Sequence, residues 1–328
     1  MRCWSIAAVA AAGLAVLGGG GAARAQETIR IVVPFAAGGP VDAMARLLAD
    51  GMQQPLGATI IVDDRAGAGG VIGTEVVARA PADGRTLLVG SQGSHVISAL
   101  LRDDLKYDPV KSFAPIAMVG HVPMLLVVSP DSPAADFKAL IALARTKKLT
   151  YGSAGPGTVM NIAGELINSG AHVGITHVPY RGVALALPDL MAGRLDLLPA
   201  DPPVLLPLVA ARKLRPIAVF GSERLAALPD VPTTVELGYP DMVMENWYGL
   251  LAPAGIAPGL AARLEAAALT AIKSPKVQQH MRDGELRDTL DAAGFKARIA
   301  RDIAFWRPMI KQLGISTSGE AAPPAAPK

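Results

Sequence analysis

Cysteine is all but absent: Cys3 is the only one in 328 residues. It precedes an apolar run, whereas a lipid-anchoring cysteine follows one, which argues against a lipid anchor there. With no second thiol the chain has no internal disulfide, so its stability must come from core burial. Aromatic residues are scarce as well, at 4%, and the core must therefore rest on Ala, Val, Leu and Ile. No sign of charge dominates. The formal net charge is +3, and the Lys and Arg residues are scattered rather than in blocks, which argues against a nucleic-acid partner and against a polybasic membrane patch. Long apolar runs are missing beyond residue 25. The stretch 117–130 comes closest but carries His121, Pro123 and Pro130, too broken for a membrane span. Nor do His95, His121, His172, His177 and His280 show a metal-binding spacing such as H-x-x-x-H. No metal and no cofactor are expected.

What the chain does have begins with a secretory pattern. Arg2 supplies a positive start, Ile6 to Leu17 a short apolar segment, and Ala23-Arg24-Ala25 a small-x-small cleavage site. Residues 1–25 are read as a removable signal peptide, whose loss of Arg2 and Arg24 lowers the net charge from +3 to +1. Beyond it, apolar strands alternate with helices in two successive sets. The first set runs from Ile29 to Gly90 and the second from Met124 to Phe220. Continuous apolar strands alternating with helices predict largely parallel sheets covered on both faces. Trp247 to Pro253 reads as a further strand, and three helices follow up to Leu313. The Ala/Pro-rich stretch 316–328 reads as a disordered tail.

Each set contains a strand, a glycine loop and a helix start: Phe35-Ala36-Ala37-Gly38-Gly39 before Asp42, and Tyr151-Gly152-Ser153-Ala154-Gly155-Pro156-Gly157-Thr158. Such loops can present bare backbone amides to an anion, or serve only as tight turns. The Lys-Ser/Thr ending of a nucleotide phosphate loop is missing. The run Arg65 to Gly73 is spaced G-x-G-x-x-x-G, off the dinucleotide pattern, and reads as a structural loop near a cleft mouth. Ser91, Ser94 and His95 stand at a strand end and could hydrogen-bond a polar ligand or cap a turn. Tyr180 and Arg181 could reach a cleft, Arg181 to pair with a carboxylate. Asp201 could accept hydrogen bonds from a ligand amine or hydroxyl.

Taken in order, these blocks resemble the Bug family, the periplasmic solute-binding proteins of tripartite tricarboxylate transporters. Val32 to Gly39 with Asp42, Ala45 and Arg46 is similar to the family's first loop, and Arg65 to Gly70 with Gly73 to its second. Pro81 to Leu88, Tyr151 to Thr158, His177-Val178-Pro179-Tyr180-Arg181-Gly182, Leu228 to Thr233 and Trp247-Tyr248-Gly249 resemble later blocks. The resemblance covers nearly all of the chain after residue 25. It implies an α/β, type II periplasmic-binding-protein fold: two α/β lobes with an interlobe ligand cleft. It also implies a small organic carboxylate as ligand, held by backbone groups, hydroxyls and bridging waters. Carried over, the candidates are Phe35, Ala36, Gly38 and Gly39 in lobe one, and Ser153, Ala154, Gly155 and Thr158 in lobe two. The family often has His where Asn161 stands, and T-H-x-x-N where this chain has Ser94-His95-Val96-Ile97-Ser98. Both places lie near the expected pocket, so the identity of the ligand does not carry over.

The resulting expectation is a non-enzymatic, monomeric periplasmic protein that passes its ligand to membrane transporter subunits. Lobe one would comprise 26–122 and 246–315, and lobe two 123–245. Two other readings stay open. A ligand sensor would present its closed form to a membrane signalling partner. A secreted hydrolase would need Ser91, Ser94 or Ser153 within reach of His95 or His177, and a third group to orient the histidine.

Overall fold

The computed structural model describes residues 27–313; the predicted signal peptide and the tail from 316 lie outside the described residues. Two five-stranded sheets carry the fold. The first is built from β1 (Thr28–Val33), β2 (Thr59–Asp64), β3 (Thr86–Ser91), β4 (Phe113–Pro123) and β10 (Glu245–Pro253), in the order β2-β1-β3-β10-β4. The second contains β5 (Leu125–Val128), β6 (Thr150–Ser153), β7 (Thr176–Pro179), β8 (Leu197–Ala200) and β9 (Arg215–Val219), in the order β7-β6-β8-β5-β9. Each sheet has four strands running one way and one antiparallel strand inserted between the edge strand and the other three: β10 in the first, β5 in the second. The sheets are therefore mixed rather than purely parallel. In each, the antiparallel strand is the one that has just crossed from the other sheet.

The helices cover these sheets. They are α1 (Pro40–Leu56), α2 (Val71–Ala78), α3 (Ser98–Leu101), α4 (Phe137–Thr146), α5 (Val159–Ala171), α6 (Val183–Met191), α7 (Pro202–Ala210), α8 (Pro258–Ile272), α9 (Pro275–Asp283) and α10 (Ala292–Leu313). Two elements run through segments with no simple sequence signature. β4 contains Pro115 and Pro123, and α7 contains Pro202, Pro203 and Pro207. Prolines at the start of α7 cost little, because the first amides of a helix have no internal partner.

The unbroken apolar strands are explained by burial on both faces. Along β10, Tyr248, Leu250 and Ala252 join one core, while Trp247 and Leu251 join the other. Along β1, Ile31 and Val33 face the first core and Val32 the second. Side chains alternate with a period of two along a strand, so both layers need apolar residues. Gly249 lies on the Trp247 face, where a Cβ would fall 2.2 Å from the Phe295 ring; only glycine admits that ring against the sheet.

The chain passes between the sheets at two adjacent points. β4 ends at Pro123 and β5 starts at Leu125, so Met124 is the link. The return runs through Met244 into β10. The two crossings are tied together: Met124 N–H donates to the Met244 carbonyl at 3.0 Å, and Phe220 N–H to the Met124 carbonyl at 2.8 Å.

Candidate ligand-binding cleft

The sheets place their strand ends face to face, and four helices start there. α1 follows the loop after β1, α5 the loop after β6, α6 the turn at Gly182, and α7 the end of β8. The first residues of α1, α5 and α6, and Asp201 just before α7, line one cavity of about 30 Å³. Phe35, Ala36, Gly39, Pro40 and Val41 come from the first lobe, with Ser91 and Asn246 beside them. Ala154, Thr158, Val159 and Met160 come from the second, with Gly182, Val183, Ala200 and Asp201. No Lys or Arg is among these lining residues. The first-turn amides of a helix have no intrahelical acceptor, and the helix dipole makes that end positive. The cavity is therefore an anion-favouring space made by backbone rather than by cationic side chains.

The loops are held by their own side chains. Asp42 Oδ2 accepts from Gly38 N–H at 2.8 Å, and Asp42 is in turn paired with Arg46. In the second loop Thr158 caps α5 and donates to the Gly155 carbonyl at 2.7 Å. Asn161 accepts from Gly157 N–H at 3.0 Å and donates to the Tyr151 hydroxyl at 2.8 Å.

Across the cleft the lobes touch. Ala36 N–H donates to the Arg181 carbonyl at 3.3 Å, and Ser98 Oγ donates to the Gly157 carbonyl at 3.3 Å. Glycines make this approach possible. A Cβ at Gly69 would fall 2.1 Å from the Pro156 carbonyl oxygen, and one at Gly93 would fall 2.9 Å from Val159 N. The Arg65–Gly73 loop thus seals the cleft by backbone contact with the second lobe.

Of the residues singled out from the sequence, Phe35, Ala36, Gly39, Ser91, Ala154, Thr158 and Asp201 line the cavity. Gly38 and Gly155 sit in the loops that shape it, Ser153 at the end of β6 and Asn161 in the first turn of α5. Ser94 lies under β3, where its hydroxyl donates to the Ser91 carbonyl and its Cβ lies against Gly70. His95 is brought elsewhere, into the core, with Nε2 at 2.8 Å from the Pro109 carbonyl oxygen and its ring edge-on to Phe113. Burial pushes its pKa down to about 4 and so keeps it neutral. Tyr180 turns away, donating to Asp189, and the Arg181 side chain is exposed. Sequence reasoning passed over Asn246 and the start of α6. Asn246 belongs to a strand that joins the first lobe only after the chain has completed the second.

Ser153 and His177 meet: Oγ and Nε2 are 2.5 Å apart. Yet Ser153 is fully buried, accepts from Gly155 N–H at 3.0 Å and donates to the Gly155 carbonyl at 3.1 Å. One proton arrangement satisfies all three contacts, with His177 donating. His177 stacks on Tyr151, and burial lowers its pKa to about 4. Among the described residues no carboxylate pairs with it. The pair braces the loop. It has neither the exposure nor the third orienting group that a nucleophile requires.

The sharpest polar feature is Asp201. Its Oδ2 accepts from the Tyr248 hydroxyl at 2.6 Å and from Asn246 Nδ2 at 2.9 Å. Burial raises its pKa above the ordinary aspartate value, and the hydrogen bonds from Tyr248 and Asn246 oppose that rise. Its Oδ1 has no partner, and neither has Asn246 Oδ1.

The family model for the tripartite tricarboxylate transporter family receptor matches residues 44–315. The chain belongs to that receptor family. Solved structures agree with the assignment. The receptor is similar to the periplasmic binding protein BugD, at 30% identity and a TM-score of 0.84, with 89% of this chain and 99% of that one covered. It is similar to Rpa4515 of R. palustris with adipate, at 31% identity and a TM-score of 0.84, covering 89% and 99%. MatC from Rhodopseudomonas palustris with bound malate matches at 32% identity and a TM-score of 0.82, covering 87% and 99%. The receptor has the fold of these periplasmic binding proteins: two mixed α/β sheets with the cleft between them.

Proposed function

We propose that this receptor captures a small organic carboxylate between its lobes, in the periplasm, and hands it to the membrane subunits of a tripartite tricarboxylate-type transporter. The observation that carries the reading is the convergence of three helix N-termini, those of α1, α5 and α6, on one cavity with no Lys or Arg in its lining. An anion held by dipoles and amides is bound without a buried ion pair, and so can be released again. Adipate and malate in two related structures point to the same ligand class. The binding set is proposed as Phe35, Ala36, Gly38, Gly39 and Ser91 facing Ala154, Gly155, Thr158 and Asp201. Lobe one is taken as 26–122 with 246–315, lobe two as 123–245, and the signal peptide as removed. The protein acts as a monomer and performs no chemistry on its ligand. The buried, loop-bracing Ser153–His177 pair supports that last point.

Calorimetric titration of the refolded, ligand-stripped protein with four- to six-carbon mono- and dicarboxylates tests the proposal. Saturable binding of at least one such acid is expected, with a Kd of about 1 μM or below. If every acid in the set fails to bind, the reading is wrong.

A further inference from the structure

The cavity lining is uneven in chemistry. The loops and starts of α1, α5 and α6 make up most of it. The end at Asp201 offers oxygen, because Asp201, just before α7, makes no capping contact with that helix. Its carboxylate is instead held by Asn246 and Tyr248 of β10, which lie two residues apart and so share one face of the strand. Asp201 is 5% exposed and Asn246 3%. Because Asn246 Nδ2 faces the carboxylate, its Oδ1 must point elsewhere. Two buried acceptor oxygens, Asp201 Oδ1 and Asn246 Oδ1, are left without donors, and both residues line the cavity.

Buried acceptors without donors are costly, and a buried carboxylate without a positive partner more so. A ligand carboxylate at this end would set oxygens against oxygens. A hydroxyl could satisfy only one of the two. A protonated amine brings three N–H donors and the opposite charge. We propose that Asp201, with Asn246, is a specificity-determining site for an ammonium group, and that the ligand is an amino carboxylate. Its carboxylate would lie at the loop end and its amine at Asp201. This rests on the proposed capture of a carboxylate and narrows it.

The experiment compares matched four-carbon acids on the ligand-stripped, full-length mature protein: succinate, malate, aspartate and 4-aminobutyrate, each titrated by calorimetry. A longer set of amino acids with their deaminated counterparts follows. A charge-assisted hydrogen bond in a buried site corresponds to roughly ten- to hundredfold in affinity. At least one amino acid is expected to bind more tightly than its deaminated partner by such a factor. Asp201→Asn is expected to erase most of that preference, bringing the ratio of the two affinities toward one. If that variant does not fold, as judged by its thermal melt, the wild-type ratios alone decide. Equal or tighter binding of succinate or malate, with no amino acid preferred to its counterpart, overturns the ammonium site but leaves carboxylate capture standing. Failure of all acids overturns both. A preference for amino acids that survives Asp201→Asn overturns the role of Asp201.

Discussion

At Gly69 two physical demands coincide. Its φ is +66°, in the left-handed region, and a side chain there would collide with Pro156 of the opposite lobe. Gly57 shares the first demand but not the second: its φ is +62° and nothing lies within 4 Å of its would-be Cβ. The two residues therefore separate backbone strain from cleft closure. Each change to alanine costs about 1–2 kcal/mol of conformational strain. Only Gly69→Ala also wedges the lobes apart. Its affinity for the ligand is expected to fall by at least about tenfold, while Gly57→Ala binds like the wild type. Calorimetry on both variants checks this, with thermal melts to confirm comparable folding. Asp42 illustrates the same economy in another way, since one carboxylate steadies both the Gly38 amide and the first turn of α1 through Arg46.

Among the elements, β10 carries the most connections. It separates β3 from β4 in the first sheet, supplies Asn246 and Tyr248 to the cleft, and anchors α10. The anchor is a buried polar network. Asp302 of α10 accepts from Trp247 Nε1 at 2.8 Å, from Gln92 at 3.1 Å and from Arg298 at 2.8 Å. Arg298 also reaches Glu245, which lies 3.3 Å from His121 Nδ1, while His121 Nε2 lies 3.0 Å from Asp288. Contact with Glu245 raises the His121 pKa, burial opposes the rise, and Asp288 adds to it. The same contact with His121 lowers the Glu245 pKa to about 2. A raised histidine pKa stabilises the fold fully below the unfolded value of about 6.5 and is lost as pH rises through the folded value. A depressed carboxylate stabilises above about 4.5 and is lost as pH falls toward 2. The strap between β4, β10 and α10 is thus strongest between these limits. The wild-type advantage in Tm over His121→Gln is expected to be larger at pH 6 than at pH 8.5; an equal advantage at both would mean the histidine is uncharged there.

For the molecule as a whole, access to the cavity is the limiting feature. Ala36 N–H on the Arg181 carbonyl and Ser98 Oγ on the Gly157 carbonyl bridge the lobes across the cleft, so parting the lobes widens the way in for a ligand. The two crossings at Met124 and Met244 are short, adjacent and hydrogen-bonded to each other. Rotation about them is expected to open the cleft, as in hinge-bending domain closure. The closest neighbours of Gly69 and Gly93 at the mouth are backbone atoms of the second lobe, and a ligand touching both lobes is expected to shift the population toward the closed form. Small-angle scattering of the ligand-stripped protein is expected to show a larger radius of gyration than the ligand-saturated protein, and Gly69→Ala to stay expanded in both. No change on saturation would rule out hinge closure.

Strands were legible from sequence wherever both faces are buried, because continuous apolar runs such as Ile31 to Val33 have no other stable use. The two glycine loops were legible for a similar reason: a strand that ends in glycines before a helix start leaves amides bare. β4 and α7 were not, since prolines mask their periodicity and only tertiary contacts hold them in register. The placement of side chains was harder still. His95, one step from the cleft in sequence, is turned into the core by Phe113 and the Pro109 carbonyl. Asn246 and Asp201, 45 positions apart in the chain, meet only because β10 returns to the first sheet beside the end of β8. Local chemistry alone determined two α/β lobes with amide-rich loops. The long-range return of one strand decided where an unpartnered acid faces those loops, because that pairing depends on topology rather than on any run of neighbouring residues.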